Sequence, residues 1–192
     1  KPTQICVANG AKQNIFNVLA ALVNEGDEVI LPAPYWVSYD EMVKINGGVS
    51  VFIETNIDTE FKMTAEQLEA AITPKTKAVL YSSPCNPSGS YYTREELEKI
   101  ANVMAKYPDV VIISDEIYEF INYDGEHVSI AEFPQVFNQT AVINGMSKAF
   151  AMTGWRIGYS ACPQWLADAC DKLQGQVTSG ANTVAQRASI GG

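Results

Sequence analysis

The sequence predicts an α/β protein, a three-layer sandwich with helices on both faces of a mostly parallel sheet. Two patterns predict it. Short apolar runs of strand length alternate with longer segments of helical period along the chain. Residues 110–114, Val-Val-Ile-Ile-Ser, form an almost unbroken β-branched run, as expected of a strand covered on both faces. In sheets of this kind ligands collect at the carboxyl ends of the strands. Gly10, Asn86, Asp115 and Lys148 each stand at or just beyond the end of such a run.

The elements follow in order. Residues 5–8 are the first apolar run, and Gly10 opens a helix with Ile15, Val18, Leu19 and Leu22 on one face. Gly26 stops that helix, residues 28–31 resume as a strand, and Pro32-Ala33-Pro34 breaks it. Residues 39–45 read as helix, 49–54 as extended and 65–72 as helix. Residues 78–82 form a strand that enters a loop, 83–89, held by two prolines. Thr93 and Glu96 have the spacing of a capping box, in which each side chain satisfies a free backbone N–H of the other, and they start a helix toward Tyr107. Strands at 110–114, 141–143 and 157–162 follow, then a helix from about Pro163 to Leu173.

The 192 residues are enough for one domain with a substantial core. A composition of 47% hydrophobic and 18% charged residues is that of an ordinary folded domain. The net charge of −9, with 22 acidic against 13 basic residues and no basic stripe, argues against a nucleic-acid footprint. A few focused cations can still hold a small anion. No stretch approaches the roughly 20 apolar residues that cross a bilayer. Cys6, Cys85, Cys162 and Cys170 form no CxxC pair and follow no secretory signal, so they are expected to be reduced structural residues in a cytoplasmic protein. The single histidine, His127, lies in a polar turn-like segment and reads as a loop residue, which argues against a histidine metal site or a Ser-His-Asp triad.

The chemistry concentrates between the second and third of these late strands. Ser147-Lys148 follows the 141–143 run, and Arg156 stands eight residues beyond the lysine, between Trp155 and a glycine turn. Lysine forms Schiff bases with carbonyl compounds, and arginine matches the geometry of phosphate. Pyridoxal 5'-phosphate carries both an aldehyde and a phosphate. Asp115, ending an apolar strand, suits the ring nitrogen of that cofactor, whose protonation makes the ring an electron sink. It reads equally as a strand-terminal acid capping a helix. A Walker B acid is the sharper rival, but the chain has no G-x-x-x-x-G-K-[ST] loop. Asn86, in Pro84-Cys85-Asn86-Pro87-Ser88-Gly89, reads alone as a β-turn. Gly10-Ala11-Lys12 lies where a strand enters a helix, a natural phosphate site. A Ser147-Lys148 hydrolase pair is disfavoured, because adjacent side chains diverge and neither S-x-x-K nor G-x-S-x-G surrounds them.

In this order, from Ile5 to about Arg187, these segments resemble the class I/II pyridoxal-phosphate-dependent aminotransferases of fold type I, and among them the prokaryotic aspartate aminotransferases. The resemblance implies that Lys148 is the catalytic residue, which holds the cofactor as a Schiff base and shuttles the proton at the substrate α-carbon. It implies that Asp115 pairs with the ring nitrogen, that Asn86 and Tyr118 donate to the 3'-oxygen, and that Trp36 stacks on the ring. Gly10, Ala11, Lys12 and Arg156 then surround the phosphate, and Ser147 belongs to the cofactor-binding loop. Lys12, Trp36 and Asn86 are the implied substrate contacts, with Lys12 meeting a distal carboxylate. The implied reaction moves an amino group from aspartate to 2-oxoglutarate, with prephenate a related acceptor, in a cytoplasmic homodimer without nucleic-acid or membrane partners. A lyase or synthase of the same fold would keep every motif, as would a non-catalytic cofactor-binding fragment. Many relatives carry a phosphate-contacting serine near the position of Gly145, and this chain does not. Family members are longer, with an N-terminal arm and a C-terminal small domain that supplies the α-carboxylate arginine. Residues 1–192 are therefore expected to be the cofactor-binding large domain, with poor turnover alone.

Overall fold

A computed structural model describes residues 1–123 and 125–191. Seven strands, β1 (Ile5–Ala8), β2 (Glu28–Ala33), β3 (Val49–Glu54), β4 (Thr76–Ser82), β5 (Val111–Asp115), β6 (Thr140–Gly145) and β7 (Gly158–Ala161), form one sheet in the order β1-β7-β6-β5-β4-β2-β3. Six α-helices among the described residues accompany it: α1 (Ala11–Leu22), α2 (Ser38–Ile45), α3 (Ala65–Ala71), α4 (Arg94–Met104), α5 (Gln164–Val177) and α6 (Thr183–Ala188). Strands β2 to β6 run parallel, while β7 is antiparallel to both β6 and β1.

Strand alternation divides the core into two layers. Val29 and Leu31, Ala78 and Leu80, and Val111 and Ile113 pack with Ile15, Val18 and Leu19 of α1, Met42 and Val43 of α2 and Leu166 of α5. Ile30, Val79, Tyr81 and Ile112 turn the other way, onto Leu68 of α3 and Leu97, Ile100 and Met104 of α4. The expected three-layer sandwich is the observed one. All five residues of β5 are buried, as the β-branched run predicts.

Several boundaries differ from the sequence reading. The strand expected to stop before Pro32 runs through it to Ala33. Val49 N–H bonds Asp27 O, and Thr55 N–H bonds Ala33 O, so odd-numbered residues of this stretch face β3 and Pro32 faces β4. Pairing with β4 ends at Ile30, so the donor that proline lacks is not needed there. Helix α5 continues to Val177, and α6 carries too short an apolar pattern to be read in advance; Ala185 is its one buried residue. Leu22, expected on the buried face of α1, is half-buried at its end. The capping box is present: Thr93 Oγ1 accepts from Glu96 N–H at 3.3 Å, and Thr93 N–H donates to Glu96 Oε2 at 2.7 Å.

Candidate active site

The carboxyl ends of β4, β5 and β6, the start of α1 and the segment before α2 surround a cavity of about 300 Å³. Nine of the ten sequence-predicted site residues line it; Gly10 alone does not, and it underlies one that does. Tyr39, Ser82, Ile117 and Thr153 also line the cavity and went unread in the sequence.

At one end stands Asp115, the last residue of β5, almost wholly buried. The Tyr39 hydroxyl donates to its Oδ2 at 2.6 Å, and the Ile117 N–H donates to its Oδ1 at 3.2 Å. Burial lifts the Asp115 carboxyl from its ordinary 3.8 to about 6; the two donors and the Lys148 charge oppose the rise, and the Glu116 charge adds to it. Beside Asp115 across the ladder, the Ser82 hydroxyl is buried next to the Tyr39 hydroxyl. Tyr39 occupies the first turn of α2 and was read only as part of that helix.

At the other end, Arg156 holds a left-handed backbone conformation (φ 52°). Its Nη1 donates to Thr153 O at 2.9 Å and its Nη2 to Asn9 O at 3.2 Å, which ties the loop after β6 to the β1–α1 turn. Gly10 has φ 93°, and a Cβ built on it would lie 2.8 Å from Arg156 Cζ. Gly158 is as constrained, since a Cβ there would lie 2.7 Å from the Gly10 carbonyl carbon. These two glycines let β7 and the guanidinium close on the N-terminus of α1. The first N–H groups of a helix have no acceptor within it, and no acidic residue occupies this first turn. The result is an electropositive pocket end built from one guanidinium and backbone donors.

Between the ends lie the aromatic and amine groups. The Trp36 ring meets Tyr39 edge-on, with centroids 5.5 Å apart, and Lys12 Nζ sits 4.6 Å from the Trp36 ring centroid. Lys148, exposed in the loop after β6, has its Nζ 5.6 Å from the Tyr118 ring centroid. Ser147 beside it is buried. Outside the cavity, His127 is more than a loop residue: its Nε2 lies 2.9 Å from Oε2 of the buried Glu116. All four cysteines are free, and burial pushes the Cys162 and Cys170 thiols up to about 11 and about 12, as for unreactive core residues.

The family model for aminotransferase class I and II matches residues 1–191. The chain belongs to that family. It is 52% identical over 192 residues to an aspartate aminotransferase of Bacillus sp. (strain YM-2), covering 99% of this chain and 49% of that protein. It is 46% identical over 190 residues to a bifunctional aspartate aminotransferase and glutamate/aspartate-prephenate aminotransferase of Petunia hybrida, covering 98% of this chain and 40% of that one. Among solved structures, the aspartate aminotransferase of Rhizobium meliloti superposes with a TM-score of 0.97 at 45% identity, over 99% of this chain and 48% of that one. That of Thermus thermophilus, solved with maleate, gives 0.95 at 43% identity over 99% and 49%. The chain thus spans about half the length of the relatives it matches. Among the described residues no helix is long and apolar enough to cross a membrane.

Proposed function

We propose that residues 1–192 are the cofactor-binding large domain of an aminotransferase, and that the whole protein moves an amino group from an amino acid to a 2-oxo acid, aspartate and 2-oxoglutarate being the first pair to test. The observation that carries this reading is the convergence of Lys148, Arg156 and Asp115 on one cavity from separate segments of the chain. The names of the relatives support the reaction, and the share of their length that the chain covers supports the domain assignment. A cytoplasmic homodimer comes with the reading from the family resemblance; size-exclusion and cell fractionation test it.

The residues fit pyridoxal 5'-phosphate. The Arg156 end suits a phosphate, the glycine under the guanidinium leaves room for it, and the buried acid at the opposite end suits a protonated ring nitrogen. When bound, this cofactor supplies an aldehyde that condenses with amines and a ring that draws electrons from the substrate α-carbon.

The chain's own residues supply the rest. Arg156 would neutralise the phosphate, and the N–H groups of Ala11 and Lys12, freed for it by the turn at Gly10, would donate to it. Asp115, ionised above about pH 6, holds a proton at the ring nitrogen. Asn86 and Tyr118 donate to the ring oxygen, and Trp36 covers one ring face. The Lys148 amine anchors the aldehyde. Freed by a substrate amine, it would carry the proton between the substrate α-carbon and the cofactor's aldehyde carbon. Lys12, poised over Trp36, meets the distal carboxylate of a dicarboxylic substrate.

Incubation of the chain with the cofactor, borohydride reduction and peptide mass mapping test the assignment. The cofactor's mass is expected on Lys148 and on no other residue, and absent in Lys148→Ala. Equal labelling of that variant overturns it. Glutamate formation from aspartate and 2-oxoglutarate by the whole protein tests the reaction.

A further inference from the structure

Behind the pocket, on the far face of the sheet, lies a second group of ionisable side chains. Asp115 and Glu116 are consecutive, so strand alternation sends them to opposite faces. Tyr39 of α2 meets Asp115 on one face, whereas Ser114 Oγ donates to Glu116 Oε1 at 2.9 Å on the other. Glu116 is 2% exposed. Ser129 Oγ donates to the same Oε1 at 2.8 Å, and His127 Nε2 meets Oε2 at 2.9 Å. Glu119 joins them, with atoms of Glu116, Glu119 and His127 all within 4.8 Å of one another. Among the described residues no lysine or arginine pairs with Glu116, which leaves His127 as its cation.

This group is fastened to the pocket through the backbone. Glu116 N–H donates to Ile143 O at 2.8 Å, Glu119 N–H to Glu116 O at 2.9 Å and Ile121 N–H to Tyr118 O at 2.8 Å. Asp115, Ile117 and Tyr118, interleaved with Glu116, line the cavity. Burial disfavours the His127 cation, but the hydrogen bond to Glu116 and the charges of Glu116, Glu119 and Glu132 outweigh it and raise its pKa above the ordinary 6.5. Tyr159 on β7 faces Glu119 and Glu116, and Tyr81 on β4 faces Glu116. Asp115 is faced by Tyr39, by Glu116 and by Lys148 from the loop after β6.

We propose that His127 is a positioning residue for the pocket: by pairing with Glu116 behind the sheet, it holds the segment that carries Asp115 and Tyr118 into the cavity and neutralises a negative charge adjacent to Asp115. The functional meaning rests on Asp115 serving the cofactor as an ionised partner, so the test is read on the chain without cofactor. Carbonyl-carbon NMR of labelled aspartates follows Asp115 through a pH titration, with its resonance assigned by Asp115→Asn. Unit charges about 10 Å apart at an effective dielectric near 20 shift a titration by about one pH unit. His127→Gln is expected to raise the Asp115 midpoint by about that much, Glu116→Gln to lower it as far, and the double variant to return it close to wild type. Midpoints that move the same way in both single variants, or that stay put in His127→Gln, overturn the proposal. Should His127→Gln fail to fold, the ring of this single histidine is followed by NMR through a pH titration in wild type and in Glu116→Gln, which is nearly isosteric and still within reach of both serines: a midpoint that falls in the variant supports the proposal and an unmoved one overturns it. Failure of the cofactor to attach to Lys148 leaves this result intact and counts against the proposed function alone.

Discussion

Replacing Tyr39 with phenylalanine removes one oxygen from the pocket and keeps the ring's edge-on contact with Trp36. That oxygen donates to Asp115 Oδ2 at 2.6 Å. A hydrogen bond to a charged group contributes about 1.5–3 kcal/mol and one to a neutral group about 0.5–1.5 kcal/mol, so the ionised acid loses about 1–1.5 kcal/mol more than the protonated acid. At about 1.4 kcal/mol per unit, Asp115 then titrates about one unit higher, near 7 where the native residue titrates at about 6. The sign of the effect on stability follows. Asp115 binds its proton more tightly folded than unfolded, so its stabilising contribution is complete below 3.8 and is lost as pH rises through the folded value. For the native chain that loss amounts to about 3 kcal/mol and is complete somewhat above pH 6. In Tyr39→Phe it continues through about pH 7 and grows by about 1.4 kcal/mol. Urea unfolding at pH 5 and pH 8.5 reads the difference directly. The variant's penalty should be about 1 kcal/mol at pH 5 and more than twice that at pH 8.5. An equal penalty at both pH values would show that the hydroxyl does not tune Asp115.

Gly10→Ala forces a side chain into a backbone region that is essentially reserved for glycine and into the space of Arg156; urea unfolding should show a loss of about 1–3 kcal/mol, and cofactor titration a more than tenfold weaker affinity. Lys12→Ala in the whole protein should raise the KM for aspartate by about tenfold or more through loss of a charge-assisted contact, and leave the KM for alanine unchanged in the same steady-state assay. Thr93→Ala removes the N-cap of α4 and should cost about 1 kcal/mol in urea unfolding, with cofactor uptake unaltered because the cap lies outside the cavity.

What could be read in advance was what local pattern determines. The unbroken run ending at Asp115 announced a doubly covered strand, and the residues at strand ends announced the side of the sheet on which they meet. Pro32 misled because its tolerance depends on where a neighbouring strand stops pairing, which no local pattern records. In the sequence Tyr39 is an ordinary helix residue, since its bond to Asp115 spans 76 positions. His127 looked solitary for the same reason in miniature: its partner lies 11 positions away, hidden at the end of a buried strand. Long-range pairing of polar groups leaves no periodicity behind.

The bond between Arg156 and Asn9 joins residues 147 positions apart, and among the described residues β1 pairs with β7 alone. During synthesis, β2 to β6 can pair with one another while the first strand waits. The Arg156 end of the pocket is not closed in a growing chain until about residue 161 has left the ribosome, because only then can β7 slide between β1 and β6. Closing so long a loop comes late in folding as well as in translation. Closure of the Arg156 end is thereby a report on completion: a nascent or truncated chain that lacks β7 has most of its sheet but not the strand that seats Arg156 against the β1–α1 turn.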